Sequence, residues 1–420
     1  MELKKYKLGE IADIQTGPFG SQLHNEDYVS NGTPIVTVEH LGNKFFTTQN
    51  LPLVSDYDKK RLSKYVLKAN DIVFSRVGSV DRCSFVSPQE DGWLFSGRCL
   101  RVRPSDKIDS EWLYYYFTQN YFKEYVRSKA VGCTMPSLNT ELLANLDITK
   151  LPLDQQRRIA SVLSSLDSKI TLNRRINTKL ETIVKRLYDY WFVQFDFPDA
   201  NGNPYKSSGG KMVWNDALKR EIPEGWEVKR LGEVLSLLKD GTHNPPKRIN
   251  RGIALLTGTM FGNNFLDYSK ATYISEEDYQ LIHSRYSPQE GDIVITKIGT
   301  LGNVNYIRKS DIPIAIHCNS ALLRFPKYIG SVFAFYFCKS DLFQMRLKAV
   351  KGQSIQEFVS LNRLESICME IPPQDIITAF NAKTLSIFNY QLSIEKETAR
   401  LTALRDKLLP LLMNGQVEVA

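Results

Sequence analysis

Asn70-Asp71-Ile72-Val73-Phe74-Ser75-Arg76-Val77-Gly78-Ser79 and Gly291-Asp292-Ile293-Val294-Ile295-Thr296-Lys297-Ile298-Gly299-Thr300 follow one pattern, 221 residues apart. Each reads as an Asp, three apolar residues, a hydroxyl residue, a base, another apolar residue and a Gly. Such a run predicts a short β-strand ending in a turn. Lys7-Leu8-Gly9-Glu10-Ile11 matches Arg230-Leu231-Gly232-Glu233-Val234, and Gly42-Asn43-Lys44-Phe45 matches Gly262-Asn263-Asn264-Phe265. Ser137-Leu138-Asn139 matches Ser360-Leu361-Asn362, and Leu151-Pro152 matches Ile371-Pro372. The matches keep one order and nearly one offset, which predicts a duplicated unit. Elsewhere the side chains differ widely, so the copies share a scaffold more than a surface.

Each copy has two parts. The first is mixed strand and loop, with aromatic-rich, helix-length runs over Trp112–Tyr125 and Val332–Leu347 that read as core. The second begins after Pro152 or Pro373. In the first copy apolar residues recur three and four apart, at Ile159, Leu163, Leu166 and Ile170, then at Leu180, Val184, Leu187 and Trp191. Asn173 and Asn177 fall in the seam between these blocks, where a buried Asn fixes register at some cost in stability. The second copy carries Ile377, Phe380, Ile387, Ile394, Leu401 and Leu408 on a less regular stripe.

The expected architecture is α+β: a globule over 1–152, a long helix over 153–196, a turn-rich linker over 197–224, a second globule over 225–373 and a second helix over 374–413. Two equivalent globule-plus-helix units paired about a pseudo-twofold axis would place the helices in an antiparallel coiled coil. A helix of about 40 residues is roughly 60 Å long, so the globules would stand at the ends of a rod.

Composition removes other classes. With 420 residues, 42% hydrophobic and 24% charged, the chain is neither disordered nor a disulfide scaffold. No apolar run reaches the roughly 18 to 20 residues of a membrane span, and Met1–Lys7 lacks a secretory signal, so a soluble cytoplasmic protein is expected. Six scattered cysteines and five scattered histidines show no zinc spacing, and no GxxxxGK[ST] phosphate loop occurs. The net charge of +8 is spread, with +4 on residues 153–193 and +4 on residues 225–373. That is compatible with a polyanion partner and does not by itself identify one.

Two loop pairs supply side chains suited to base edges and phosphates. One joins Thr16, Phe19, Ser21 and Gln22 with Thr242, His243, Asn244, Lys247 and Arg248. The other joins Ser75, Arg76 and Arg82 with Lys297, Thr300 and Asn303. Asn244-Pro245-Pro246 has the core of an amino-methyltransferase loop, but Lys247 stands where an aromatic would stack on a flipped base. With no Gly-rich cofactor loop before it, the segment reads as a structural or DNA-facing turn.

The chain resembles the specificity subunit of type I restriction-modification enzymes over essentially its whole length. The resemblance rests on Trp191–Pro198, Tyr205–Met212 and Ile222–Trp226, on the openings Lys7–Ile11 and Arg230–Val234, and on Leu151–Gln156. Ile371-Pro372-Pro373-Gln374-Asp375 departs slightly from the last pattern. The resemblance implies a non-catalytic subunit that recognises a two-part double-stranded DNA site. It implies no cofactor on this chain. Its helices would dock methyltransferase subunits, two by symmetry, and in the full complex restriction-translocase subunits. S-adenosylmethionine, ATP and Mg would sit on those partners. A stand-alone DNA methyltransferase and a purely architectural coiled-coil protein are the alternatives.

Because the candidate loops differ between the copies, the recognised site should be bipartite and asymmetric, its halves roughly 10 base pairs apart centre to centre. Replacing residues 1–152 by the first domain of another family member should change one half-site and leave the other intact, as read by methylation mapping. A palindromic or contiguous site would refute this.

Overall fold

The computed structural model describes residues 4–18, 22–132, 134–242, 246–262, 264–352 and 358–419. The chain divides into two compact units, Met1–Arg174 with Lys396–Ala420, and Arg175–Glu395. In the first, strands Ala12–Thr16, Cys99–Pro104, Ile72–Ser75 and Cys83–Phe85 form an antiparallel sheet in that order. A second sheet runs Tyr28–Val29, Leu53–Val54, Thr33–Val36, Leu94–Phe95, its last pair parallel. Strand Lys4–Lys7 pairs with Asp147–Lys150.

The second unit repeats the arrangement with Leu237–Asp240, Ser320–Arg324, Ile293–Thr296 and Val304–Tyr306. Beside it lie a three-stranded sheet, Thr272–Ile274, Ile253–Leu256 and Ile314–Ile316, and the pair Glu227–Arg230 with Cys368–Ile371. The linker carries a hairpin, Met212–Asn215 with Arg220–Pro223.

One ion pair recurs at the head of both central strands. Arg103 grips Asp71 through Nε and Nη2, both at 2.7 Å, and Arg324 grips Asp292 at 2.7 and 2.8 Å. Each guanidinium also donates to a loop carbonyl, that of Val66 or Ser287. Each carboxylate accepts a loop N–H, from Lys68 or Gln289. The carboxylate hydrogen bond holds both guanidinium groups above their ordinary pKa, against the opposing effect of burial.

The first long helix spans Leu153–Tyr188 and ends in a π-helical turn, Asp189–Val193, short of the expected residue 196. The cause is Phe195, which takes a left-handed φ of 68° while its ring is fully buried. The second spans Gln374–Met413. Ile159, Leu163, Ile170 and Val184 are buried on the first helix, with Leu166, Leu180 and Leu187 half-buried. On the second, Ile377, Phe380 and Ile394 are buried and Ile387, Leu401 and Leu408 half-buried. Phe388, not Ile387, is the fully buried residue of its turn, because the stripe advances by fours through Thr384.

Each unit closes its core with helical side chains. In the first, Ile159, Ala160, Leu163, Leu412 and Met413 pack with Trp112, Leu113 and Phe117. In the second, Val184, Tyr188, Trp191, Ile377, Phe380 and Phe388 pack with Phe333 and Phe335. The aromatic runs are thus core. Within the first unit Asp167 meets Arg405 at 2.9 Å and Asn173 meets Glu397 at 2.8 Å, so numbers rise on one helix as they fall on the other. Within the second, Asn177 donates to Glu395 at 3.1 Å.

The Ser-Leu-Asn match is out of register by two. Leu138 N–H donates to Arg76 O and Val359 N–H to Lys297 O, which equates Asn139 with Ser360. Both cap short helices, Thr140–Ala144 and Leu361–Glu365. The two copies share capping chemistry at that position and not the tripeptide.

Replacing Asp71 by Ala leaves Arg103 without its carboxylate and the Lys68 N–H without its acceptor. Because Arg103 is 29% exposed and water reaches it, the expected loss is about 2–4 kcal/mol, at or below the range for a fully buried pair. Urea unfolding measures it, and a change under 0.5 kcal/mol would show that the clamp is dispensable.

Candidate nucleic-acid interface

At the end of the central sheet opposite the clamp, both units build the same turn. In the first, Ser75 lies opposite Cys99. Ser96 N–H donates to Val36 O at 2.8 Å, Cys99 N–H to Ser96 O at 2.9 Å and Arg76 N–H to Arg98 O at 2.8 Å. In the second, His317 N–H donates to Leu256 O at 3.0 Å, Ser320 N–H to His317 O at 3.0 Å and Lys297 N–H to Asn319 O at 2.8 Å. A neighbouring strand then closes on the turn through a glycine. A Cβ on Gly17 would stand 2.1 Å from Ser96 O, and one on Gly241 2.3 Å from His317 O, so both positions exclude any side chain.

This geometry corrects the loop pairing. Thr16 lies opposite Leu100 and Asp240 opposite Ala321, so Thr16 corresponds to Asp240 and Gly17 to Gly241. Thr242 is two residues further on, buried, with its backbone bonded to Ile316 and Cys318. The basic residues keep the correspondence. Arg76 donates to Thr16 Oγ1 at 3.3 Å and Gly97 O at 3.2 Å, and Lys297 pairs with Asp240 at 3.0 Å.

The other candidates divide by exposure. Ser75 does not reach the surface: it is 1% exposed and its hydroxyl donates to Val77 O at 2.8 Å, closing the turn. Lys297 is likewise withdrawn, 4% exposed, held by Asp240 and lying over the Phe358 ring. Arg82 is exposed but donates to Leu41 O. Gln22 is exposed, its amide oxygen accepting from Tyr65 at 2.9 Å. Lys247, Arg248, Thr300 and Asn303 are exposed. Phe19, Ser21, His243 and Asn244 lie outside the described residues.

In the second unit Arg248, Lys270, Thr300, Asn303, His317 and Asn319 line one open concavity of about 530 Å³. The backbone correspondences put Ser79, Arg82, Ser96 and Arg98 of the first unit at the positions of Thr300, Asn303, His317 and Asn319. One rim is rich in arginine and the other in amide, hydroxyl and imidazole groups. Such groups can donate and accept hydrogen bonds to a ligand's polar edge. Burial pushes the Cys83 and Cys99 thiols up to about 12, which removes them as nucleophiles. Among the described residues no group of three or more His, Cys, Asp or Glu could hold a metal ion. Among the described residues no helix is long and apolar enough to cross a membrane.

Sequence reasoning missed Ser96, Arg98, His317 and Asn319. Ser96-Gly97-Arg98-Cys99 and His317-Cys318-Asn319-Ser320 share no residue in register. The signal available was the 221-residue offset between the Asp71 and Asp292 strands, extended onto their hydrogen-bonded neighbours.

A model of the type I restriction modification DNA specificity domain matches residues 1–182 and 223–402. The MjaIX type I restriction enzyme specificity subunit of Methanocaldococcus jannaschii is 28% identical, covering 100% of this chain and 94% of that one. The HindI type I restriction enzyme specificity subunit of Haemophilus influenzae is 23% identical, covering 99% of each. The type I restriction-modification S subunit from M. genitalium shares the fold with a TM-score of 0.60 at 17% identity, covering 98% of this chain and 96% of that one.

At pH 8 a thiol pushed to about 12 is ionised in roughly one molecule in ten thousand. Iodoacetamide should therefore leave Cys83 and Cys99 unlabelled in the native chain and label both in urea, as read by peptide mass spectrometry. Native labelling at either would contradict the burial of these strands.

Proposed function

The chain belongs to the type I restriction-modification DNA specificity family and is a specificity subunit with two such domains, and from that premise we propose that each globule reads one half of an asymmetric, bipartite double-stranded DNA site. The observation that supports this most is the sheet-end turn. The same backbone turn, closed by the same three internal N–H to C=O bonds, carries Ser96 and Arg98 in one copy and His317 and Asn319 in the other. Equivalent presentation with unlike hydrogen-bonding side chains gives two related recognisers of different sequence. Arg82, Arg248, Lys247 and Lys270 around these turns are suited to phosphates, which would supply salt-dependent affinity without base preference.

In this reading the chain is the non-catalytic recognition subunit, and bond chemistry belongs to its partners. Methyltransferase subunits bring S-adenosylmethionine, and restriction-translocase subunits bring ATP and Mg. The assembly works on DNA in the cytoplasm. The long helices pair as an antiparallel coiled coil about a pseudo-twofold axis, dock the methyltransferase subunits and set the distance between half-sites. The opposed numbering of the Asp167–Arg405 and Asn173–Glu397 contacts supports the antiparallel pairing. The repeated strand order and the repeated Asp–Arg clamp support the pseudo-symmetry.

Two experiments test this. Selection of bound sites from random DNA by the chain with its methyltransferase partner should return two fixed motifs separated by a constant unread spacer. Selecting no motif would overturn the function. Inserting four residues beside Asn177 and four beside Glu395 lengthens each helix by roughly 6 Å, close to two base pairs. The spacer should grow with both motifs unchanged, as read by methylation mapping on a variant shown folded by circular dichroism. Unchanged spacing would reject the helices as the ruler.

A further inference from the structure

Three arginines rim the first globule's sheet end, and two have their guanidinium groups engaged. Arg76 donates to Thr16 and Gly97, and Arg82 to Leu41. Arg98 is different: its side chain is exposed and makes no hydrogen bond or ion pair among the described residues. Its backbone is nevertheless fixed, because its carbonyl accepts the Arg76 N–H and the turn around it is closed by Ser96 and Cys99. A flexible side chain thus stands on an immobile base, which lowers the ordering cost of a directed contact.

The same position in the second globule is Asn319, whose carbonyl accepts the Lys297 N–H. Its side chain lines the concavity, and its amide nitrogen makes no hydrogen bond among the described residues. Its amide oxygen receives a long contact of 3.7 Å from the Cys318 thiol, a donor weak enough to be displaced. The neighbouring His317 has Nδ1 occupied by the Asn319 N–H at 3.3 Å, so the imidazole is tied back onto the turn.

We propose that this shared position is the principal base-reading position of each globule, with Arg98 selecting guanine in one half-site and Asn319 selecting adenine in the other. The assignment rests on the DNA-reading function above and deepens it. A guanidinium offers parallel donors and no acceptor, so it satisfies the paired N7 and O6 acceptors of guanine and cannot accept from the adenine amine. A carboxamide offers one donor and one acceptor side by side, which matches adenine N7 and N6.

The test uses the full-length chain co-purified with its methyltransferase partner, selecting from random-sequence duplex DNA as wild type, Arg98→Ala and Asn319→Ala. The wild type should return a guanine in one motif and an adenine in the other whose preference falls about 5- to 150-fold in the corresponding variant. The other motif should stay unchanged in each case. A variant that weakens binding to all sequences alike would mark a phosphate contact and overturn the assignment. Loss of preference in the same motif by both variants, or at a base other than guanine or adenine, would also overturn it. A wild type that selects motifs untouched by either variant refutes this assignment alone. A wild type that selects no motif refutes the DNA-reading function with it.

Discussion

Asp71 and Asp292 are carboxylates with almost no contact with water, each held by two guanidinium nitrogens and one loop N–H. Burial of such a charge is tolerable only with this full set of partners, and the geometry that supplies them admits one strand register. In the first globule it sets Ile72 opposite Val102 and Ser75 opposite Cys99. In the second it sets Ile293 opposite Leu323 and Thr296 opposite Ser320. A slip of one residue would exchange Ile72 and Phe74, which pack in one apolar cluster, with Val73, which packs in another. The clamp at one end of a strand pair therefore fixes the turn at its other end, where the variable side chains stand.

The helices follow the same logic with a different chemistry. Their apolar stripes are interrupted by polar contacts: Asp167 accepts from Tyr115 at 2.6 Å and from Arg405 at 2.9 Å, and Asn173 donates to Glu397. Burial, with the adjacent Asp167 charge, pushes the Tyr115 phenol far up, so it stays a donor to that carboxylate. An all-apolar seam would pack in several registers, whereas these contacts form in one. Stability is exchanged for a defined alignment of the two helices.

How much of this was legible in the sequence depended on which physical signal carried it. The strand-and-turn pattern at Asp71–Gly78 and its copy at Asp292–Gly299 survived duplication because each residue type there has a local duty: the carboxylate, the core strand, the turn. The long helices were legible from spacing alone, though Phe195 ended the first one earlier than its aromatic run implied. The candidate site was less legible. Ser75 and Lys297 have the chemistry of DNA readers but sit where the turn consumes a hydroxyl and a buried pair consumes an ammonium. Arg98 and Asn319 were invisible because the segments Ser96–Cys99 and His317–Ser320 share no residue in register, and strand pairing alone relates them.

The first globule is not contiguous in the chain: its core includes Leu412 and Met413, about 240 residues beyond the end of its main segment. The second is contiguous, from Arg175 to Glu395. During synthesis, therefore, the globule that leaves the ribosome first is the one that completes its core last. Until residues 396–413 have been made, the core that Leu412 and Met413 complete lacks both side chains, a deficit of about 1.5–3 kcal/mol for each. A chain truncated anywhere in its last helix would lose part of its first globule, so a premature stop near the end of the message weakens the half that was translated at the beginning.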